Sequence, residues 1–152
     1  MKLTAQKDVT LDNDYVDVRY RELTPEIHQI FQICERPGSI LLCEKDNSEH
    51  KLDVNDVLYI EWVDSKSCVY TKDEVFFVPI SLKQLEEALE GGHFVRISRS
   101  VLINVYKVKS VSNGINLRRT AEMVNGEKII ISRYYRSALS KAIEKLAGEV
   151  TV

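Results

Sequence analysis

Along the chain, apolar positions recur at two periods, and each change of period marks a change of element. Tyr15-Val16-Asp17-Val18-Arg19-Tyr20 alternates apolar and polar residues, which predicts a half-buried strand. Thr24 then stands as an N-cap with Pro25 at the first helical position. Ile27, Ile30, Phe31 and Cys34 follow at helical spacing until Pro37-Gly38 stops the run. This predicts a short amphipathic helix whose apolar face covers either the chain's own core or a partner. From Ser39 onward, short strands are expected over Ile40–Glu44, His50–Asp53, Val57–Trp62, Ser67–Thr71 and Glu74–Val78. The turn residues Asp46-Asn47-Ser48, Asn55-Asp56, Asp64-Ser65 and Lys72-Asp73 separate them, so the centre reads as a β meander.

Ser81 with Gln84 three residues on forms a capping box. Leu82, Leu85 and Leu89 share one helical face before Gly91-Gly92 ends it. Strands are expected again at Phe94-Val95-Arg96-Ile97 and from Tyr106 to Val111. Asn113-Gly114 and Asn125-Gly126 have the composition of type I′ hairpin turns, which need the positive φ that Asn and Gly tolerate. The last element, opening at Ser132 as N-cap and carrying Tyr135, Leu139, Ala142, Ile143 and Leu146, reads as a helix ending near Gly148. The fold class is therefore mainly β with a few short helices, preceded by an N-terminal α/β extension.

At 152 residues with 44% apolar side chains, the chain is long enough for one packed domain and a short appended segment. Its net charge of −2 argues against a polyanion partner until the charges are placed. Phe94 to Lys145 holds eleven Lys or Arg against three acids, a net of +8, whereas residues 1–93 carry a net of −9. Such polarisation fits either a polyanion partner for one half or mutual neutralisation of the two. Val101-Leu102-Ile103 and Ile129-Ile130-Ile131 are far shorter than a membrane span, and Met1 to Asp8 contains no apolar stretch of a secretory signal. A cytoplasmic location is expected.

Catalytic chemistry is hard to assemble. His28, His50 and His93 fall in no metal-binding spacing, and Cys34, Cys43 and Cys68 form no C-x-x-C pair, so the thiols read as small core residues. With no nucleophile elbow or phosphate loop in the sequence, neither an enzyme nor a cofactor is expected.

A succession of segments is more specific. Val57-Leu58-Tyr59-Ile60-Glu61 feeds the turn Asp64-Ser65-Lys66-Ser67. The helix at Ser81 to Glu90 leads into Phe94-Val95-Arg96-Ile97-Ser98-Arg99-Ser100-Val101-Leu102-Ile103-Asn104, and Asn125-Gly126-Glu127 leads into Ile130-Ile131-Ser132-Arg133-Tyr134-Tyr135. In motif, order and spacing this resembles the LytTR family of bacterial DNA-binding domains. The resemblance covers residues 49–148 and leaves residues 1–48 as a strand-helix extension. It implies a β-rich domain that inserts loops, rather than a recognition helix, into the major groove of double-stranded promoter DNA, with two copies on a repeated site.

On that resemblance Arg99 and Arg133 match base-reading positions, and Lys66 falls in the first contacting loop. An arginine fork suits the O6 and N7 acceptors of guanine. Ser67, Ser100 and Arg136 are candidates for backbone or supporting contacts, and Arg96, opposite Val95 and Ile97 on its strand, should face solvent or DNA. Asn104 is expected to cap backbone and Trp62 to pack. The 48 residues before the domain are too few for the receiver domain that often precedes it. The architecture is similar to standalone regulators of the family that act with a membrane protein, which makes the extension a dimerisation or inhibitor-docking element. A LytTR-like module that sequesters a protein partner and a single-stranded RNA binder using Tyr106, Tyr134 and Tyr135 are the rival readings.

Overall fold

The period-two pattern beyond residue 39 becomes ten strands, and the 3.6-residue pattern three helices, in a computed structural model that describes residues 2–11, 16–34, 40–89 and 93–150. Side chains at 32–34 and 147–150 lie outside that description. The chain divides into two compact units, Met1–Pro37 and Gly38–Val152.

In the first unit, helix α1 (Pro25–Cys34) begins where Thr24 and Pro25 predict it. The His28 amide donates to the Thr24 carbonyl at 3.0 Å, the Ile27 amide reaches the Thr24 hydroxyl at 3.4 Å, and the Tyr20 ring meets Phe31 edge-on. The strand expected over residues 15–20 is not formed: Tyr15 lies outside the described residues, and residues 16–20 pair with no strand. Alternation marks a surface with two faces, but a strand persists only when a neighbour completes its hydrogen-bond ladder. The described part of the extension is therefore helical without a strand.

The second unit holds β1 (Ile40–Lys45), β2 (Ser48–Asp53), β3 (Tyr59–Val63), β4 (Lys66–Tyr70), β5 (Val75–Val78), helix α2 (Leu82–Ala88), β6 (Phe94–Arg96), β7 (Val101–Asn104), β8 (Val108–Asn113), β9 (Arg119–Met123), β10 (Lys128–Ile131) and helix α3 (Arg136–Val150). Seven strands form an antiparallel sheet in the order β2-β1-β5-β4-β3-β7-β6, and three form a second sheet, β10-β9-β8. The meander is confined to β3-β4-β5, because the β1-β2 hairpin folds back against β5 at Glu44 and Phe77. Residues 40–48, assigned from sequence to the extension, thus belong to the sheet unit, whose boundary is at Pro37 and Gly38.

Strand β3 sits between β4 and β7 and feeds a core on each face. Ile60 joins Val69, Phe76 and Leu102 beneath Leu82 and Leu85 of α2, whose Ser81–Gln84 capping box forms as expected. Tyr59 joins Ile97 and Ile103 against Met123 and Ile131 of the second sheet and Leu139 of α3. Helix α3 continues to Val150, so Gly148 does not stop it, and it follows a 3₁₀ turn over Arg133–Tyr135 rather than starting at Ser132. Asn104 is buried and caps backbone as expected, donating to the Val57 carbonyl at 3.0 Å and accepting from the Tyr106 amide.

The hairpin turns are redistributed. Two-residue turns with positive φ at both positions fall at Asp46-Asn47 and Asp64-Ser65. At Asn125-Gly126 only Gly126 has positive φ, and Gly114 has none, since the β8–β9 connection bends instead at Asn116 and Leu117. Asp and Asn tolerate the left-handed region well enough to close a two-residue hairpin without glycine.

Cys43 and Cys68 are buried, and burial pushes both thiols up. Burial also raises Tyr59, helped by the carboxylate of Glu127, and raises Tyr70, helped by that of Glu61; the two rings stack with centroids 4.4 Å apart. Ser67 is fully buried and donates to the Ile80 carbonyl at 2.7 Å.

Two outcomes follow for stability. Phenols in the unfolded chain ionise near their ordinary value of about 10, whereas the folded protein holds Tyr59 and Tyr70 neutral above it. Stability is therefore full below about pH 10 and falls as pH rises past it, and Tyr59→Phe flattens the fall in a pH series of thermal melts. Ser67→Ala removes the donor to the half-buried Ile80 carbonyl and lowers stability by about 0.5–1.5 kcal/mol, read from the urea midpoint.

Candidate nucleic-acid interface

The β6–β7 connection carries Arg99 on a loop whose backbone is held at each step. Ile97 is buried and its amide donates to the Val101 carbonyl at 3.0 Å, closing the loop at its base. Four successive carbonyls then each receive a donor. The Ile97 carbonyl accepts from the Ser132 amide at 2.8 Å, and the Ser100 carbonyl from the Trp62 amide at 2.8 Å. Between them, the Ser98 and Arg99 carbonyls accept from the Arg96 guanidinium at 3.2 and 2.6 Å. The Ser98 hydroxyl takes the Ser100 amide at 3.2 Å. Backbone groups satisfied within the protein do not compete for the Arg99 side chain, which is exposed.

Arg133 stands on the other side of the Ile97–Ser132 bond, at the start of the 3₁₀ turn that joins β10 to α3. The Tyr135 amide closes that turn on the Ser132 carbonyl at 2.9 Å, while the Ser132 hydroxyl makes no capping bond, contrary to expectation. Its extended backbone (φ −62°, ψ 140°) sets the junction instead, with the amide engaged by Ile97. Ser98, Arg99, Ser100, Ser132, Tyr134 and Tyr135 line one groove between the two loops. Arg133 is exposed beside it. Among the described residues neither the Arg99 nor the Arg133 guanidinium has a hydrogen-bond or ion-pair partner. The surface salt bridges that would explain them away are not formed there.

The remaining candidates divide. Ser100 lines the groove, with its hydroxyl 3.4 Å from that of Ser98. Lys66 is exposed, but its ammonium lies 4.5 Å from the Phe77 ring centroid, and it lines a separate groove with residues of the β1–β2 turn. Ser67, one residue on, points into the core and has no surface to offer a phosphate. Arg136 is half-buried and donates to the Leu117 carbonyl at 3.0 Å, tying the β8–β9 loop to the junction. Arg96, expected to face outward, turns back onto the loop, and its third bond, at 3.1 Å, goes to the Glu86 carboxylate of α2. Strand alternation gives the face of a residue, but a side chain as long as arginine can return to backbone on that face.

Sequence reading left Ser98 and Glu86 unassigned and gave Tyr134 only to the rival RNA-binding reading. Ser98 shapes the loop through its hydroxyl, and the small polar residue between Ile97 and Arg99 was a signal for such a turn. Tyr134, strongly exposed beside Arg133, carried only an aromatic signal. Glu86 lies on a helix of acids and gave no cue that it faced Arg96. Trp62, expected to pack, remains 38% exposed next to the loop and belongs to neither core. Among the described residues no cluster of His, Cys, Asp or Glu has metal-binding geometry, and no helix is long and apolar enough to cross a membrane.

The LytTr DNA-binding domain family matches residues 47–144. A solved LytTr DNA-binding domain from Bacillus cereus superposes with a TM-score of 0.64 at 25% identity, covering 69% of this chain and 96% of that one. The sensory transduction protein LytT of Bacillus cereus is 25% identical over 142 residues, which are 93% of this chain and 53% of the relative. The transcriptional regulatory protein YpdB of Escherichia coli (strain K12) is 29% identical over 63 residues, 41% of this chain and 26% of the relative. The chain thus spans about half the length, or less, of these curated relatives. With a match across most of its second unit and the fold to accompany it, the chain belongs to the LytTR family of DNA-binding domains.

Proposed function

We propose that this protein is a sequence-specific transcriptional regulator that reads base edges in the major groove of promoter DNA with Arg99 and Arg133. The observation that supports this reading most is the pair of exposed guanidiniums, without partners among the described residues, on two loops joined by the Ser132–Ile97 hydrogen bond. A free fork on a fixed backbone suits bidentate recognition of guanine, since only the side chain, and not the loop, has to be ordered on binding. Tyr134 and Ser100 border the same groove and are placed to contact sugar or phosphate. Lys66, exposed at the β3–β4 turn, is the third base contact in this reading. The regulator acts in the cytoplasm as two copies on a repeated site, with α1 of the extension serving dimerisation or docking of a membrane-protein inhibitor; these parts rest on the family resemblance and on the apolar Ile27, Ile30 and Phe31 of α1.

The test is a mobility-shift titration on duplexes selected by the wild-type protein from a random pool, with unrelated DNA as competitor. Arg99→Ala and Arg133→Ala are each expected to weaken binding to the selected duplex by about 5- to 150-fold, the equivalent of roughly 1–3 kcal/mol, and to relax preference at one base pair. Binding to unrelated DNA changes much less. Unchanged selectivity in both variants overturns the assignment of these residues. A wild-type protein that retains no duplex at low salt, yet forms a stable complex with a protein, is instead the sequestering module.

A further inference from the structure

The family position of Arg99 says which residue reads, but not what aims it. Arg99 has no partner among the described residues, so the direction in which its side chain leaves the loop depends there on the backbone of residues 98 to 100. Two of the carbonyls in that stretch, those of Ser98 and Arg99, are held by a single side chain. The guanidinium of Arg96 donates from Nε to the Ser98 carbonyl at 3.2 Å and from Nη2 to the Arg99 carbonyl at 2.6 Å. Its remaining arm, Nη1, reaches the Glu86 carboxylate at 3.1 Å. The Arg96 side chain is 24% exposed and the Glu86 side chain 44%. Glu86 in turn sits on α2, fixed by its capping box and by the buried Leu82 and Leu85. A planar fork with all three of its faces engaged has one orientation, and it transmits that orientation to the two carbonyls it holds.

We propose that Arg96 is the positioning residue of the Arg99 reader. Its guanidinium, oriented by Glu86, sets the Ser98–Arg99 backbone before DNA arrives, so the loop does not have to be ordered on binding. This inference rests on the reading of Arg99 as a base contact and assigns Arg96 no contact with DNA. Lysine does not substitute: a single ammonium on a flexible stem cannot hold two neighbouring carbonyls and a carboxylate in one plane.

The experiment uses the full chain and three variants, Arg96→Lys, Glu86→Gln and Arg99→Ala, with Arg96→Lys/Arg99→Ala to close a cycle. Duplexes selected by the wild-type protein, single-base variants of them and unrelated DNA are titrated at several salt concentrations. Arg96→Lys is expected to lose at least about fivefold in preference at the base pair that Arg99→Ala erases, with the salt slope unchanged, because no phosphate contact is removed. The double variant is expected to bind no worse than Arg99→Ala alone, since one aims what the other removes. In the DNA-free protein, amide exchange at Ser100, whose bond closes inside the loop, is expected to quicken in Arg96→Lys and, less, in Glu86→Gln. A salt slope lowered by about one in Arg96→Lys, with equal loss on unrelated DNA, marks a direct phosphate contact and overturns the proposal. Additive losses in the double variant, or unchanged base preference, overturn it as well. If thermal melting shows Arg96→Lys unfolded, Glu86→Gln decides: unchanged exchange together with unchanged preference overturns it. If wild-type protein selects no duplex, the reading of Arg99 falls, while the exchange data still decide whether Arg96 holds the loop.

Discussion

Everything in the second unit depends on β3 being buried on both faces. Val57 and Leu58, leading into β3, and Tyr59 and Ile60, which open it, form an unbroken apolar run, as a central strand requires, and their side chains divide between two cores, Val57 and Ile60 in one and Leu58 and Tyr59 in the other. One core needs α2 and the other needs the second sheet with α3, so neither layer can leave without exposing one side of the same strand. Burial of an aliphatic or aromatic side chain stabilises by roughly 1.5–3 kcal/mol, which makes this run the dominant local constraint. The ends of β3 then dictate where loops emerge. Trp62 binds Ser100 beyond the pairing with β7, and Ile97, rooted in the second core, binds Ser132. Two loops far apart in sequence are thereby set against each other by backbone groups alone.

Much of this was legible in the sequence because burial is written in periodicity. The strands from Ile40 to Val78, the capping box at Ser81 and the apolar face of α3 all follow from side-chain spacing, and all form. What spacing does not encode is the partner. The alternation at residues 16–20 had no strand to pair with among the described residues, whereas Ile40 to Lys45, placed outside the domain by motif, found β5 through contacts remote in the chain. Turn chemistry failed for a related reason. Glycine marks where positive φ is easiest, yet Asp46-Asn47 and Asp64-Ser65 accept it because their two-residue hairpins must match the twist of the flanking strands.

For the site, the motif singled out Arg99 and Arg133, whose reading of DNA stands as the proposal above, and both are exposed and without partners among the described residues. The engagement of their neighbours was not legible. Arg96 and Arg136 carry the same charge but bind carbonyls of their own protein, and Ser67 faces the core. A cationic segment read in one dimension overstates the charge available to a polyanion, because the sequence does not say which guanidiniums are already engaged. The first shell of a loop is decided by long side chains returning over several residues, and that geometry exists only once the strands are paired.

The Ile97–Ser132 hydrogen bond has a consequence for any ligand that both loops touch. A single backbone contact between the two mounts makes Arg99 and Arg133 behave as the points of one caliper rather than as two independent probes. A caliper measures separation as well as identity. Were the two to read one duplex as proposed, where each added base pair both lengthens and rotates the step, such a frame would reject a site with the right bases at the wrong spacing.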